Sequence, residues 1–186
     1  PMEYVHYLFS EAEKHGLYIQ TYGEDDKIIA NCDGPELKFY TKGNSKALSY
    51  EICSDIKKVL YSEPNKALFI DLSGERILKF WEEHKDWEEG RCESTFSCKE
   101  FLEYLPLGVS KGSAVRTLCE MLEVDIANAY AAGDERNDIS MIEAAGVGIA
   151  MKNAVDVAKA AADYVTENDN NHDAIAEVID KLILKA

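Results

Sequence analysis

Three carboxylates fall within five positions in the stretch Ala132-Gly133-Asp134-Glu135-Arg136-Asn137-Asp138. Like charges four apart on a helix repel by roughly 0.2–0.5 kcal/mol, so such crowding calls for a nearby cation or a solvated helix start. Asp134 and Asp138, with the amide oxygen of Asn137, offer hard oxygen ligands. These suit Mg²⁺, whose octahedron waters or substrate oxygens would complete. Acidic residues also favour a helix N-terminus through capping and the macrodipole. Taken alone, the stretch is more simply read that way.

A second group lies upstream, in Leu107-Gly-Val-Ser-Lys-Gly112, where one lysine stands just before a helical pattern. A cation at a helix N-terminus opposes the dipole by roughly 0.3–1 kcal/mol unless an anion is bound there. Lys111 beside a carboxylate-held magnesium is what a phosphoryl group needs, because stabilising charge on its oxygens is most of the catalytic task.

The elements that must position these residues follow from the apolar pattern. After Pro106-Leu107-Gly108 the chain alternates regularly: a helix over 112–123, an apolar strand over 126–132, a helix over 137–145, a strand over 147–151, a helix over 154–162, a strand over 163–166 and a final helix over 173–184. Strand–helix alternation with short links predicts parallel βαβ units, hence an α/β, doubly wound sheet. Ligands bind such a sheet beyond the carboxyl ends of its strands, where Asp134 falls. Residues 1–105 follow another grammar. A helix is expected over 2–15, strands over 17–22, 27–30, 37–40 and 67–71, and helices over 50–60 and 75–84, which together make an α+β unit. A boundary is placed near Leu105–Gly108.

A formal charge of −15 over 186 residues and a pI near 4.6 argue against nucleic acid or an anionic membrane as a partner. Five scattered cysteines without C-x-x-C spacing give neither a disulfide framework nor a zinc site, and a reducing cytoplasm fits best. The histidines His6, His15, His84 and His172 have no metal-ligand spacing along the chain, and Gly146-Val-Gly148 is too short for a dinucleotide loop.

In order along the chain, Gly108-Val-Ser-Lys-Gly112, Gly133-Asp-Glu-Arg-Asn-Asp138, Met141-Ile-Glu-Ala-Ala-Gly146, Ala150-Met-Lys-Asn-Ala154, Ala162-Asp-Tyr-Val-Thr166 and Asn170-Asn-His-Asp173 resemble the C-terminal half of haloacid dehalogenase (HAD) superfamily phosphatases of the Cof type. The resemblance implies a HAD-like, Rossmann-like core portion over 106–186 and an α+β cap of the C2 type over 1–105. It implies that Lys111 steadies the nucleophile and the phosphoryl group, that Asp134 and Asp138 hold Mg²⁺ directly or through water, and that Asn137 and Asn153 line the phosphate site. The cap would close over that site and select a small phosphorylated metabolite such as a sugar phosphate.

The family's nucleophile is an aspartate in D-x-D-G-T, and no such motif occurs in these 186 residues. The nearest match, Phe69-Ile-Asp-Leu-Ser-Gly-Glu75, has Ser73 in place of the second acid. Only 39 residues separate Asp71 from Lys111, too few for a second motif and a full cap. Asp71 is therefore read as a turn residue. The expectation is a phosphatase portion that needs an N-terminal segment carrying D-x-D-G-T and has little turnover alone. A noncatalytic binding or regulatory domain and a phosphosugar mutase are the alternatives.

Overall fold

The computed structural model describes residues 1–42 and 48–184, with only the backbone of Asp25. The chain divides into two units, Pro1–Leu107 and Gly108–Ala186. The folds agree with the expected α+β and α/β classes.

In the first unit the sequence begins with α1 (Met2–Lys14). Its Val5, Leu8, Phe9 and Ala12 recur at helical spacing and are all buried. Gly16, at φ +60°, turns the chain into β1 (Tyr18–Tyr22). There follow β2 (Ile28–Ala30), α2 (Pro35–Lys42), β3 (Tyr50–Ile52), β4 (Ala67–Ile70), α3 (Glu75–Glu88), β5 (Cys92–Cys98) and β6 (Phe101–Pro106). The strands make one sheet in the order β3-β2-β1-β4-β6-β5, antiparallel except for the β2–β3 pair. Alternation along the strands sorts the side chains. Ile19, Ile29, Phe69 and Leu102 join the cluster that contains α1 and α3, while Tyr18, Ile28, Leu68 and Ile70 join Leu37 of α2. The fully buried Gln20 is satisfied within its own strand, accepting from Tyr18 Oη at 2.7 Å and donating to Tyr22 Oη at 2.9 Å.

Two expectations in this unit are corrected, and one element was not foreseen. Leu37–Tyr40 is helical rather than a strand. Pro35 suits a first helical turn, Thr41 Oγ1 donates to the carbonyl of Leu37 one turn back at 2.8 Å, and Leu37 alone is buried where a strand would alternate. Residues 50–60 are not a helix: Tyr50–Ile52 form a strand beside β2, and a short 3₁₀ turn at Ile56–Lys58 follows, with Asp55 accepting from the amide of Lys57 at 3.2 Å. Cys53, Ile56 and Leu60 are all buried in one cluster, and their spacing of three and four imitates a helix. The β5–β6 hairpin had no counterpart in the sequence reading, because Cys92–Cys98 is polar or half-buried throughout.

In the second unit, α4 (Lys111–Met121), β7 (Tyr130–Gly133), α5 (Ile139–Ala144), β8 (Val147–Ala150), α6 (Asp156–Ala161), β9 (Tyr164–Val165) and α7 (Ala174–Val178) follow the expected alternation, with α7 widening into a π-helical turn at Ile179–Ile183. The strand expected over 126–132 is corrected: Ile126–Asn128 form a 3₁₀ turn, capped by Asp125 accepting the amide of Ala127 at 3.0 Å. The sheet is parallel, in the order β7-β8-β9. Its core is small: Ile142, Ala150, Met151, Ala154, Ala158 and Ala174. Among the described residues β7 pairs only with β8, and Tyr130 on it is 41 % exposed. None of the described helices is long and apolar enough to cross a membrane, and all five cysteines are free.

Candidate functional site

The parallel register brings three strand ends level. Gly133 stands opposite Ala150, and Ala150 opposite Val165. Beyond those ends lie Asp134, Asn153 and Asn170, one in the connection that follows each strand. Asn153 Nδ2 and Asn170 Nδ2 each donate to Oδ2 of Asp134 at 3.0 Å, and the amide of Asn170 donates to Oδ1 of Asn153 at 3.0 Å. No described group donates to Asp134 Oδ1. The backbone carbonyl of Asp134 takes the amide of Val155 at 2.9 Å, which ties the β8–α6 loop to this position.

Asp138 has a different setting. It is 4 % exposed, and its Oδ2 accepts the amides of Asp134 at 2.8 Å and Glu135 at 3.0 Å. Its Oδ1 receives the ammonium of Lys111. Burial pushes this carboxyl up, but the Lys111 bond and the two amides outweigh it, and the net effect is to lower it and keep it ionised. Gly133 is required for this packing, since a β-carbon there would overlap the Asp138 side chain. Glu135 shifts the other way, raised by burial and then by the charge of Asp134.

Lys111 is the first residue of α4, whose Ser110 cap accepts the Ser113 amide at 3.1 Å while Ser113 Oγ accepts the Ser110 amide at 2.9 Å. The anion that its position demands is Asp138 itself. The start of α4 is set against α5 by the amide of Gly112, which donates to Ser140 Oγ at 3.1 Å, and a β-carbon at 112 would strike the Ser140 carbonyl.

Asn137 Oδ1 is buried and meets no donor among the described residues. An acceptor facing nothing suits a cation or its water better than a phosphate oxygen. Asp134 Oδ1 and Asn137 Oδ1 are both hard oxygens left without a described donor, and that chemistry fits Mg²⁺.

Of the residues expected from the sequence, Lys111 and Asp138 are joined directly, and Asp134 and Asn153 are joined directly. Asp138 anchors Lys111 through one oxygen and the turn through the other. Asn170 is a site residue that sequence reasoning quoted in a motif but gave no role. The loop carrying it is held from behind by Glu177, which accepts the amides of Glu167 and Asn168 at 3.0 Å and the hydroxyl of Tyr164 at 2.7 Å.

Asp71 belongs to the first unit. Its Oδ2 accepts from Ser73 Oγ at 2.7 Å and from the amide of Arg76 at 3.0 Å, so it shapes the turn into α3.

A parallel α/β unit with carboxylate and amide groups gathered beyond its strand carboxyl ends has the Rossmann-like arrangement in which such sheets bind ligands. Residues 1–179 match the haloacid dehalogenase-like hydrolase family, and the chain belongs to it. It is 40% identical over 92 residues to 5-amino-6-(5-phospho-D-ribitylamino)uracil phosphatase YcsE of Bacillus subtilis (strain 168), covering 50% of this chain and 36% of that protein. A second Bacillus subtilis (strain 168) phosphatase named for the same compound, YwtE, is 39% identical over 89 residues, or 48% of this chain and 31% of that one. Among solved structures, a haloacid dehalogenase-like hydrolase from Bacteroides thetaiotaomicron superposes with a TM-score of 0.77 at 29% identity, over 97% of this chain and 66% of the other. The protein TM0651 from Thermotoga maritima gives 0.72 at 27%, over 98% and 67%. The matches to the two curated relatives span about a third of those proteins' length.

Proposed function

We propose that the chain is the cap and C-terminal core portion of a cytoplasmic, Mg²⁺-dependent phosphatase that hydrolyses monoesters of small phosphorylated metabolites such as sugar phosphates. The observation that carries this reading is the group of oxygens beyond β7. Asp134 has one oxygen free of donors, Asn137 has an orphaned acceptor, and Asp138, which receives the Lys111 ammonium, accepts the backbone amide of Asp134. The phosphatases named above, which act on a phosphoribityl compound, support the substrate class.

In this reading Asp134 and Asn137 hold the ion, and Asp138 holds Lys111 in place. When bound, Mg²⁺ would offset charge on the phosphoryl oxygens. The Lys111 side chain is 48% exposed, so its ammonium keeps donors for a phosphoryl oxygen while one contact goes to Asp138. Asn153 and Asn170 orient the Asp134 carboxylate. The aspartate nucleophile comes from a segment bearing D-x-D-G-T, whose strand pairs with the open edge of β7 and covers apolar groups such as Tyr130. Without it, the 186 residues bind the ion but turn over little or no substrate.

Calorimetric titration of the chain with Mg²⁺ tests the site. One ion is expected, with affinity at least tenfold weaker in Asp134→Asn; absence of binding by the parent chain overturns the reading. In an aryl phosphate assay with Mg²⁺, the chain is expected to be silent. Turnover that vanishes in Asp134→Ala would instead show that the nucleophile is already present.

A further inference from the structure

The first unit brings together three side chains that are far apart in the sequence or unremarkable within it. Glu11 and His15 lie four apart, on one face at the end of α1, where His15 still has helical backbone angles of −89° and −1°. His84 reaches the same place from the last turns of α3. The residue is 8 % exposed, and its ring stacks on Phe80 with centroids 4.0 Å apart. The potential ligand atoms of Glu11, His15 and His84 all lie within 4.8 Å of one another.

The tautomer of His84 gives the cluster its chemistry. Nδ1 lies 2.7 Å from the carbonyl oxygen of Phe80, and a carbonyl only accepts, so Nδ1 carries the proton and donates. In the neutral ring, Nε2 then presents a lone pair toward Oε2 of Glu11, 3.5 Å away. Either a proton on Nε2 or a metal ion fills the space between these two atoms, and His15 brings a third donor to the same point. A backbone carbonyl behind the far ring nitrogen is also how metal-ligating histidines are held in orientation. Lys14, bonded to the other carboxylate oxygen, helps keep Glu11 ionised.

We propose that Glu11, His15 and His84 form a binding site for a divalent transition metal of the Zn²⁺ class. Two imidazoles and one carboxylate are a zinc donor set, poorly matched to Mg²⁺ or Ca²⁺, which take oxygen. His15 is exposed, so the fourth position opens to solvent or an exogenous ligand. The ion would pin the end of α1 to α3. This site is in a different unit from Asp134 and does not depend on the phosphatase reading.

The test uses the 186-residue chain stripped with chelator. Native mass spectrometry with added Zn²⁺ is expected to show one ion per chain, and Co²⁺ is expected to give visible d–d absorption without a thiolate charge-transfer band. His15→Ala, at an exposed position, and Glu11→Gln, which keeps the shape of a largely buried side chain, should each weaken binding at least tenfold, while His172→Ala should not. Zn²⁺ should raise the melting temperature of the parent and not of His15→Ala. The proposal is overturned if no ion binds, if the first two variants bind as tightly as the parent, or if the cobalt spectrum shows sulfur ligation. His84→Ala is set aside as the primary variant because its buried ring also packs the unit.

Discussion

Lys111 and Asp138, 27 residues apart, are joined by an ammonium–carboxylate contact at the first turn of α4. The two ends of that contact are unequal: the Asp138 side chain is 6% exposed, whereas that of Lys111 is 48% exposed. Removing the carboxylate strands two backbone amides and a cation, while removing the lysine leaves a carboxylate that still accepts two amides.

Asp138→Ala is therefore expected to cost the second unit about 2–4 kcal/mol, since hydrogen bonds to charged groups contribute roughly 1.5–3 kcal/mol each and do not add fully. Lys111→Met should cost less than about 1 kcal/mol, in the range of partly exposed ion pairs. Urea unfolding of the two variants checks the asymmetry, and equal losses would contradict it.

Gly133→Ala places a methyl group against the Asp138 side chain. The expected loss is about 1–3 kcal/mol, the usual result of overpacking. A matched change at Gly112, where the obstacle is the Ser140 carbonyl, should cost a similar amount. Both can be read from the shift of the denaturation midpoint.

Glu177 provides a pH dependence. Backbone bonding from Glu167, with further donors, holds its carboxyl at about 2 rather than the ordinary 4.5. Because the folded value lies below the unfolded one, the stabilisation is complete above about pH 4.5 and is lost as the pH falls toward 2. Denaturant unfolding at pH 6 and pH 3 should show a smaller drop for Glu177→Gln than for the parent. An identical drop would remove Glu177 from the account.

Asn170→Ala removes one of the two amides on Asp134 without touching the donor-free oxygen. Mg²⁺ binding should weaken severalfold, less than in Asp134→Asn, and the melting temperature should move little. Calorimetry on the same protein preparation measures both.

The alternating half of the chain was legible because its small apolar strands and short links have one reading. The strand ending before Asp134 and the lysine opening α4 pointed to the candidate site for the same reason. What sequence could not show was how the carboxylates divide their work. Asp134 and Asp138 are identical residues in a symmetric-looking pair, and only the backbone path around Gly133 turns one toward the amides and leaves the other an open oxygen. The first half was harder because local spacing misled. Cys53, Ile56 and Leu60 share a buried face without sharing a helix, and Leu37 needed only one buried side chain to seat α2. Glu11, His15 and His84 were invisible as a group, since sequence spacing links only the first two.

The two asparagine amides that converge on Oδ2 of Asp134 also bear on ion size. With that oxygen engaged from two separate loops, Asp134 can lend a divalent cation a single oxygen. Large ions such as Ca²⁺ readily take both oxygens of a carboxylate and seven or eight donors in all, whereas compact six-coordinate ions lose nothing by the restriction. Discrimination between the two would thus arise from hydrogen bonds that never touch the ion.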